Sequence, residues 1–525
     1  MTQGWVIVSV SLLYMGALFA IAWYGDRQSR WLHQLRPWIY SLSIAVYCTS
    51  WTFFGTVGQA SSSPWSFLPI YLAPILVFTL GWRLLARLIL IAKREHITSI
   101  ADFIAARYGK SQGLAVMVTL IAVVGVLPYI ALQLRGIAMG LDVLSPDIGQ
   151  RVGLDQTQIA WLVCVVLAVF TVLFGTRHID STEHHRGMMM AVAFESVIKL
   201  VAFLGVGVFV VTLLFQAPTL PITLEASGVI GQPDMGSLII HTFLTGAAII
   251  CLPRQFHTMV VENTRASDLN TARKVFPTYL LLMLIFVLPL AYAGQALLPG
   301  TPADTYVIRL PLSVGAEGMA LLAFMGGASA ASGMVIVSTI ALAIMVSNDL
   351  VMPLLLRRMK MASRNFAQLS GLLLNVRRAL IFLILIAAWG FYHLILTVPT
   401  LSEIGFLSFA AIAQFAPAMI GALYWRQGNK KGVYAGLMLG FSLWLVTMMT
   451  QTGMLAGDGQ SNILIWLISP PAFPPLAGLN IIDWGLAFSI LMNAAGFIFV
   501  SLLTRPSLSE RLQAAAFVGM PLPEN

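Results

Sequence analysis

The stretch YCTSWTFFGTVGQASSSPW, Tyr47–Trp65, continues an apolar segment that begins at Pro37 and is long enough to cross a membrane. Its middle, however, is small and polar where lipid favours leucine and isoleucine. The residues concerned are Cys48, Thr49, Ser50, Thr52, Gly55 and Gly58. Polar groups inside a membrane span are costly and usually face a cavity or one another. The stretch therefore predicts a helix that is interrupted in mid-membrane to form a binding site; the alternative is close helix packing by small residues.

The composition indicates an integral membrane protein, since 58% of the 525 residues are hydrophobic and only 10% are charged, against about 25% charged in soluble domains. Apolar segments of ~20 residues recur along the whole sequence, as membrane helices require, whereas a barrel would show short alternating strands. We predict an all-α protein with about thirteen transmembrane helices. They are expected near 4–24, 38–60, 66–90, 112–140, 158–175, 188–215, 237–253, 276–298, 316–346, 379–397, 404–425, 432–452 and 484–504.

The distribution of lysine and arginine predicts the orientation. Loops after odd-numbered spans hold nearly all of these residues, for example Arg94, Arg254 and Arg358, whereas loops after even-numbered spans hold only Arg151 and Arg309. By the positive-inside rule, the N-terminus is expected outside and the C-terminus in the cytoplasm of a bacterial inner membrane. Cytoplasmic loops also account for the net charge of +9, so no nucleic-acid partner is expected, and membrane lipid surrounds the chain.

The sequence lacks the motifs of soluble catalysis. It contains no phosphate loop, dinucleotide-binding glycine motif, zinc motif or nucleophile elbow, so neither an enzyme nor a cofactor is expected. Cys48, Cys164 and Cys251 lie in separate spans without paired spacing, which predicts no disulfide or zinc framework. The histidine-rich loop TRHIDSTEHHRG, 176–187, could bind a metal, but a charged, solvated loop is the simpler interpretation.

A second polar interruption occurs five spans after the first. The segment LIIHTFLTGAAIICLPRQFH, 238–257, carries His241, Thr242 and Thr245 in mid-span and then Pro253. Interrupted spans at matching positions of two halves are typical of inverted-repeat transporters, in which the freed backbone groups bind substrate and ions. The matched pair favours a binding site over simple packing.

Three stretches resemble a known family. ITSIADFIAARYGK (97–110) resembles the loop between the second and third core helices of the sodium/solute symporter family. SFAAIAQFAPAMIGALYWRQGNKKGVYAGLMLG (408–440) resembles that family's tenth core helix and the start of the next. LPRQFHTMVVEN (252–263) resembles the variant in CbrA-type proteins, in which a symporter domain is fused to a sensor histidine kinase. The resemblance covers essentially all predicted spans.

This resemblance implies the LeuT fold: two inverted five-helix repeats, at about 37–215 and 237–425, with three helices outside them. It also implies a transporter domain over 1–505 that moves solutes by alternating access. In CbrA-like proteins the implied substrate is an amino acid, L-histidine. Residues 506–525 would be a cytoplasmic linker, followed in the full protein by a kinase region that acts on a response regulator. The alternative function is a receptor that senses the ligand without transporting it.

An amino-acid substrate needs acceptors for its ammonium, donors for its carboxylate and a pocket for its side chain. Aromatic rings could stack on an imidazole, and the Tyr129–Gln133 pair shares one helix face. Gln414 resembles a substrate-contacting position of the family. Core packing is the alternative for the aromatic residues, and an interhelical contact is the alternative for the histidine. The candidates are Ser50, Trp51, Thr52, Tyr129, Gln133, His241, Thr242, Thr245, Phe406, Phe409 and Gln414.

The coupling ion is open between proton and sodium. The family's sodium site uses carbonyls at the first break, here near Ala45 and Cys48, and hydroxyls of the eighth core helix, here Ser329 and Ser332. The adjacent Ser/Thr pair that the family uses on this helix is not clearly present in the sequence. Because a hard cation is bound by about six oxygen ligands, the loss of one hydroxyl weakens the case for sodium.

A second candidate for coupling lies in the sixth span. AVAFESVIKLV places Glu195 and Lys199 one helical turn apart, where the family usually carries Asp and Gln at positions that align with Ser196 and Lys199. A buried carboxylate can carry a proton or bind sodium. The pair could instead merely neutralise itself.

Overall fold

The computed structural model describes residues 4–27, 30–145, 155–175, 186–216, 234–358, 366–396, 398, 400–455, 463–470 and 479–519. Over these ranges the secondary structure is helical, with turns between the helices. The histidines and acidic residues of the predicted loop 176–187 lie outside the described residues. So does the end of the predicted linker, 520–525.

The first half of the chain forms the helices of the first predicted repeat, preceded by one outer helix. They are α1 (Gly4–Gly25), α2 (Arg30–Ile44), α3 (Thr56–Ser62), α4 (Leu68–Thr79), α5 (Trp82–Arg94), α6 (Ile100–Arg107), α7 (Gln112–Leu144), α8 (Gln156–Gly175) and α9 (Arg186–Gln216).

The second half repeats this arrangement and then adds the last helices. The second predicted repeat comprises α10 (Met235–Cys251), α11 (Pro253–Phe256), α12 (Leu269–Leu297), α13 (Tyr306–Ser313), α14 (Glu317–Val346), α15 (Met352–Arg358), α16 (Phe366–Ile395), α17 (Leu401–Ala413) and α18 (Ala416–Tyr424). The helices that follow are α19 (Lys430–Gln451), α20 (Ile463–Leu467), α21 (Ile481–Leu503) and α22 (Leu508–Val518).

The interruption predicted at Tyr47–Trp65 is confirmed. Helix α2 ends at Ile44 and passes through a 3₁₀ turn, Ala45–Tyr47, to Cys48, whose backbone is extended (φ −73°, ψ 111°). A π-helical turn, Trp51–Gly55, then leads into α3. Because the α-helical hydrogen-bond ladder stops here, backbone carbonyls become available to side chains from other helices.

The second predicted interruption is also confirmed. Helix α10 ends at Cys251, Leu252 is extended (φ −59°, ψ 127°), and the chain resumes at Pro253 with its direction changed by 50°. Proline suits this position because it lacks the N–H that an incoming helix would leave unpaired. A π-helical turn, His257–Val261, follows, so each repeat begins with a broken helix that includes a π-helical turn.

Nine helices within the described ranges are long and apolar enough to cross a membrane, or up to eleven if the bent pairs α4–α5 (69°) and α10–α11 (50°) each count as one span. The interrupted second span and the shorter apolar helix within α8 occupy the remaining predicted positions. All thirteen predicted segments are therefore helical. The number that crosses the membrane, and the orientation of the termini, stay predictions.

Candidate functional site

Four aromatic side chains pack together at the interruption of the second span. Trp51 packs against Phe406 and Phe409 of α17, with ring centroids 4.9 and 5.0 Å apart, and against Tyr129 of α7 at 6.2 Å. Tyr129 also meets Phe409 edge-on at 5.4 Å. Gly405 makes room for the indole, because a Cβ there would overlap the ring of Trp51. The structure thus brings together four predicted substrate residues, which we call the aromatic cluster.

The Ser50–Gln133 contact fastens the break to α7. The backbone N–H and the hydroxyl of Ser50 both donate to Gln133 Oε1, at 3.0 and 2.8 Å, and both residues are fully buried. Gln133 also donates to the carbonyl of Tyr129 at 3.2 Å. Beside the aromatic cluster, Gln133 therefore accepts a hydrogen bond from an N–H group that the interrupted helix leaves without a partner.

Lys199 of α9 binds the carbonyls at the same break. Its Nζ donates to Ala45 O at 2.6 Å and to Cys48 O at 2.9 Å. These are the two carbonyls predicted to ligate a coupling ion. An ammonium group of the protein itself therefore occupies the position expected for a bound cation, and the side chain is only 2% exposed.

Glu195, one turn before Lys199, faces the other half of the predicted ion site. Ser332 Oγ donates to Glu195 Oε1 at 2.9 Å, and Ser329 Oγ donates to the Glu195 carbonyl at 3.2 Å. Tyr14 of α1 donates to both Ser329 Oγ at 2.7 Å and Glu195 Oε1 at 3.3 Å, so either bond can form. Tyr14 lies outside both repeats and was not predicted from the sequence.

Helix α9 thus supplies a cation to the carbonyl half of the predicted ion site and a carboxylate to the serine half. The ammonium of Lys199 is hydrogen-bonded to the carbonyls of Ala45 and Cys48, just after α2, rather than to Glu195. The two interpretations of Glu195 and Lys199, a coupling site and a self-neutralising pair, both stay predictions. In the part of the chain that the structure describes, no group of three His, Cys, Asp or Glu side chains is arranged to hold a metal ion.

Arg254 corrects one reading of the sequence. Its charge places it with the cytoplasmic loop residues, but it lies in α11, directly after the second break, and is 1% exposed. Its Nη2 donates to the Tyr129 hydroxyl at 3.2 Å, and its guanidinium lies over the Tyr129 ring at 4.5 Å. Arg254 therefore joins the second break to the aromatic cluster. The only sequence signal was the proline that precedes it, which marks the break.

His241 lies at the edge of this site. Its ring stacks on Phe406 with centroids 3.7 Å apart and planes inclined by 10°. The Nε2 atom is 3.0 Å from Asp483 Oδ1 of α21, and Ser237 Oγ donates to the other carboxylate oxygen at 2.6 Å. This arrangement fits the interhelical alternative considered for His241, while the ring still borders the aromatic cluster.

The other predicted substrate residues make different contacts. Thr52 and Thr242 donate to carbonyls of their own segments, those of Thr49 and Leu238. Thr245 is buried and its hydroxyl has no partner among the described residues. Gln414 bonds α21, donating to Ser489 Oγ and accepting from Asn493 Nδ2, both at 2.8 Å. Their roles in binding stay predictions.

Comparison with known proteins places this geometry in context. No model of a protein family matches the chain. The chain is 24% identical to the uncharacterized symporter YhjB of Bacillus subtilis (strain 168) over 498 residues, which cover 91% of each chain. It is 23% identical to the uncharacterized symporter YodF of the same organism over 457 residues, or 83% of this chain and 85% of YodF.

Among solved structures, a Na⁺-coupled sialic acid symporter in its substrate-bound, outward-open state superposes with a TM-score of 0.64. The match covers 95% of this chain and 98% of the symporter at 14% identity. The chain therefore has the LeuT fold, as the resemblance implied, and it is a multi-pass membrane protein. It is similar over most of its length to proteins named as symporters.

Proposed function

We propose that the chain is a secondary active transporter that moves an amino acid, with L-histidine as the leading candidate, by alternating access. The observation that carries the proposal is the meeting of two broken helices at one buried cluster of aromatic and polar side chains. Backbone and side-chain groups freed at such breaks are where LeuT-fold carriers bind solutes. The aromatic rings offer stacking surfaces for an imidazole.

We propose the proton as the coupling ion. The support is the position of Lys199, whose ammonium already satisfies Ala45 O and Cys48 O. A sodium ion at these carbonyls would have to displace a buried cation that is part of the chain. Glu195, held by Ser332 and next to Lys199 along α9, offers a carboxylate that can take up and release a proton during the cycle.

Proteoliposomes containing the purified chain test both statements. We expect uptake of labelled L-histidine against its gradient when the lumen is alkaline relative to the outside. An inward sodium gradient at constant pH and zero membrane potential should add nothing. Accumulation driven by that sodium gradient would contradict proton coupling, and failure of every amino acid to accumulate under either gradient would contradict transport.

Glu195→Gln refines the test, because glutamine keeps the shape of the side chain but cannot release a proton. The variant should stop uphill uptake and retain exchange of substrate across the membrane. Glu317→Gln is the matched control: Glu317 starts α14, 12 residues before Ser329, which corresponds to about 18 Å along the helix. It should transport like the unmodified chain.

A sensor module is the second candidate, since 252–263 resembles CbrA-type proteins. The observation in its favour is that α22 packs against α5 and α6. Arg87 of α5 donates to the carbonyls of Phe517 and Val518 at 3.1 and 2.6 Å, and Phe517 packs on Phe103 of α6 at 5.3 Å. Movement of α5 or α6 would reach α22 and any kinase region attached to it. A pure receptor would bind L-histidine in the proteoliposomes without accumulating it.

A further inference from the structure

Arg254 has far more hydrogen-bonding capacity than its surroundings use. A guanidinium carries five N–H donors, and here only Nη2 has a partner, the Tyr129 hydroxyl. The Nε and Nη1 atoms are buried without a hydrogen-bond partner in the described part of the chain. Buried donors are normally satisfied, so an arginine with two idle nitrogens at the centre of a membrane protein requires an explanation.

The charge of Arg254 is likewise unmatched. No carboxylate among the described residues forms an ion pair with it, and the buried carboxylate of Glu195 accepts from Ser332 and Tyr14. Lys199 is a second buried cation, at the first break, but the Glu195 carboxylate one helical turn away offsets its charge, so the unmatched charge is that of Arg254. A buried charge is retained at considerable cost unless a partner of opposite sign arrives, so the centre is built to receive an anionic group.

The surroundings of Arg254 coincide with the proposed substrate site. The guanidinium lies over the ring of Tyr129, a member of the aromatic cluster, and the Tyr129 hydroxyl is also 3.3 Å from Thr49 Oγ1 at the first break. Trp51, whose ring meets that of Tyr129 edge-on, has a buried indole Nε1 that also has no partner among the described residues. Two residues with unpartnered donor groups, Arg254 and Trp51, therefore contact the same tyrosine between the two broken helices.

We propose that Arg254 binds the carboxylate of the transported solute, with the indole N–H of Trp51 as an auxiliary donor. The inference rests on the proposed function, since it assumes that the aromatic cluster is the substrate site. It assigns the carboxylate pole of the substrate to the second break. A planar carboxylate suits a guanidinium better than other anions because its two oxygens can accept parallel hydrogen bonds.

Binding to the purified full chain tests the assignment with matched ligands. L-Histidine carries the carboxylate, L-histidinamide replaces it with a neutral amide, and histamine lacks it; calorimetry measures each affinity. We expect L-histidine to bind at least about 30-fold more tightly than the amide, because the amide leaves the guanidinium unpaired. Arg254→Met should weaken L-histidine binding by a similar factor, because the buried carboxylate of the ligand then has no charged partner. Affinity for the amide should change by less than about threefold in the variant.

Arg87→Met is the matched control, because it also removes a buried arginine, but one that bonds α22 carbonyls away from the centre. It should leave the ratio of acid to amide affinity unchanged. If Arg254→Met does not fold, Arg254→Lys retains the charge without the planar fork and should lower that ratio by about tenfold. Equal loss of acid and amide binding in either Arg254 variant, or undiminished acid binding, would overturn the assignment.

A wider panel separates this inference from the choice of substrate. The standard amino acids, acetate and succinate are screened by thermal shift, and each stabilising acid is then compared with its amide. If L-histidine fails but another carboxylate binds in an Arg254-dependent manner, the assignment stands and the histidine proposal falls. If only solutes without a carboxylate bind and accumulate, transport stands and the assignment is overturned. If no solute binds or accumulates, both fail.

Discussion

At the scale of a single residue, Gly333 of α14 determines how closely the Glu195 side chain can approach that helix. A Cβ added to Gly333 would overlap Glu195 Oε2, so the glycine leaves room for the carboxylate to lie against α14 where it accepts from Ser332. We expect Gly333→Ala to displace the carboxylate, to cost about 1–3 kcal/mol of stability through overpacking, and to abolish uphill uptake.

Gly318→Ala provides the control on the same helix, since nothing lies within 4 Å of a Cβ at that position. Thermal unfolding and proteoliposome uptake measure both variants. Equal behaviour of the two alanine variants would show that the position of Glu195 against Gly333 is irrelevant to transport.

Lys199→Met is expected to leave Ala45 O and Cys48 O without their donor. The loss of this donor should lower the free energy of unfolding by about 1–3 kcal/mol for each of the two buried carbonyls. The variant should also lose substrate binding, because the interrupted helix is no longer held in place. The measurement is thermal unfolding in sodium and in potassium chloride. Sodium-specific recovery of stability in the variant alone would identify the break as a cation site; recovery by neither salt would mean that the vacated carbonyls cannot hold a diffusible ion.

Gln133 and Gln414 allow a comparison between two buried glutamines. Gln133→Leu removes the acceptor of the Ser50 N–H and hydroxyl, so we expect substrate binding to weaken by about 1–3 kcal/mol. Gln414→Leu removes bonds to α21 and should lower stability with a smaller effect on binding. Calorimetry and thermal unfolding separate the two effects, and stronger loss of binding in Gln414→Leu would support Gln414 rather than Gln133 as the substrate residue.

At the scale of elements, α22 is fastened by a capping box whose acid also reaches α19. Glu510 accepts from Ser507 N and from Lys430 N, both at 2.6 Å. Burial raises the pKa of Glu510, but these hydrogen bonds and the Lys430 charge outweigh it and leave the pKa below its usual value. A depressed carboxyl pKa stabilises the folded form above the unfolded pKa, and this contribution is lost as the pH falls through the folded pKa.

We therefore expect α22 to detach from α19 when the pH falls below the ordinary range of a glutamate, through the depressed pKa of Glu510, and at neutral pH in Glu510→Gln. Hydrogen exchange of residues 508–518 is the measurement, with Glu317→Gln as the control. Unchanged protection of α22 in Glu510→Gln at neutral pH would show that other contacts, such as those of Arg87, suffice.

The elements were largely predictable and the partners were not. Hydrophobic length located all thirteen helical segments, and small polar residues located both breaks, because a membrane penalises such residues wherever they occur. No sequence pattern indicated Tyr14 or Asp483, since each meets its partner through tertiary packing between distant segments. Arg254 was misread because charge alone cannot distinguish a loop arginine from a buried one that is one residue past a proline.

At the scale of the whole molecule, three segments meet on the predicted outer side of the site. Asp304, in the turn Ala303–Thr305 before α13, accepts from the backbone N–H of Leu401 at 3.1 Å, and its carboxylate lies where a Cβ on Gly58 would be. Helix α3, this turn and the start of α17 therefore meet at a point where Gly58 leaves room for the Asp304 carboxylate.

Gly58→Leu should hold these segments apart and favour an outward-open form. Overpacking of about 1–3 kcal/mol corresponds to a shift of about 5–150-fold in the equilibrium, so Cys48, fully buried at the break, should react faster with an impermeant maleimide added outside. Mass spectrometry assigns the modified cysteine. Gly16→Leu, where a Cβ meets nothing within 4 Å, is the control. Unaltered labelling of Cys48 in Gly58→Leu would mean that this contact does not limit access.

Lys199 is covalently attached to the chain whose carbonyls it binds, and this attachment changes how the break depends on the medium. A diffusible ion obeys mass action, so its site empties when the bath is dilute. The tethered ammonium has an effective concentration that the bath cannot lower, and Ala45 O and Cys48 O keep their partner at any salinity. The interrupted helix should therefore be equally well ordered at low and at high salt concentration.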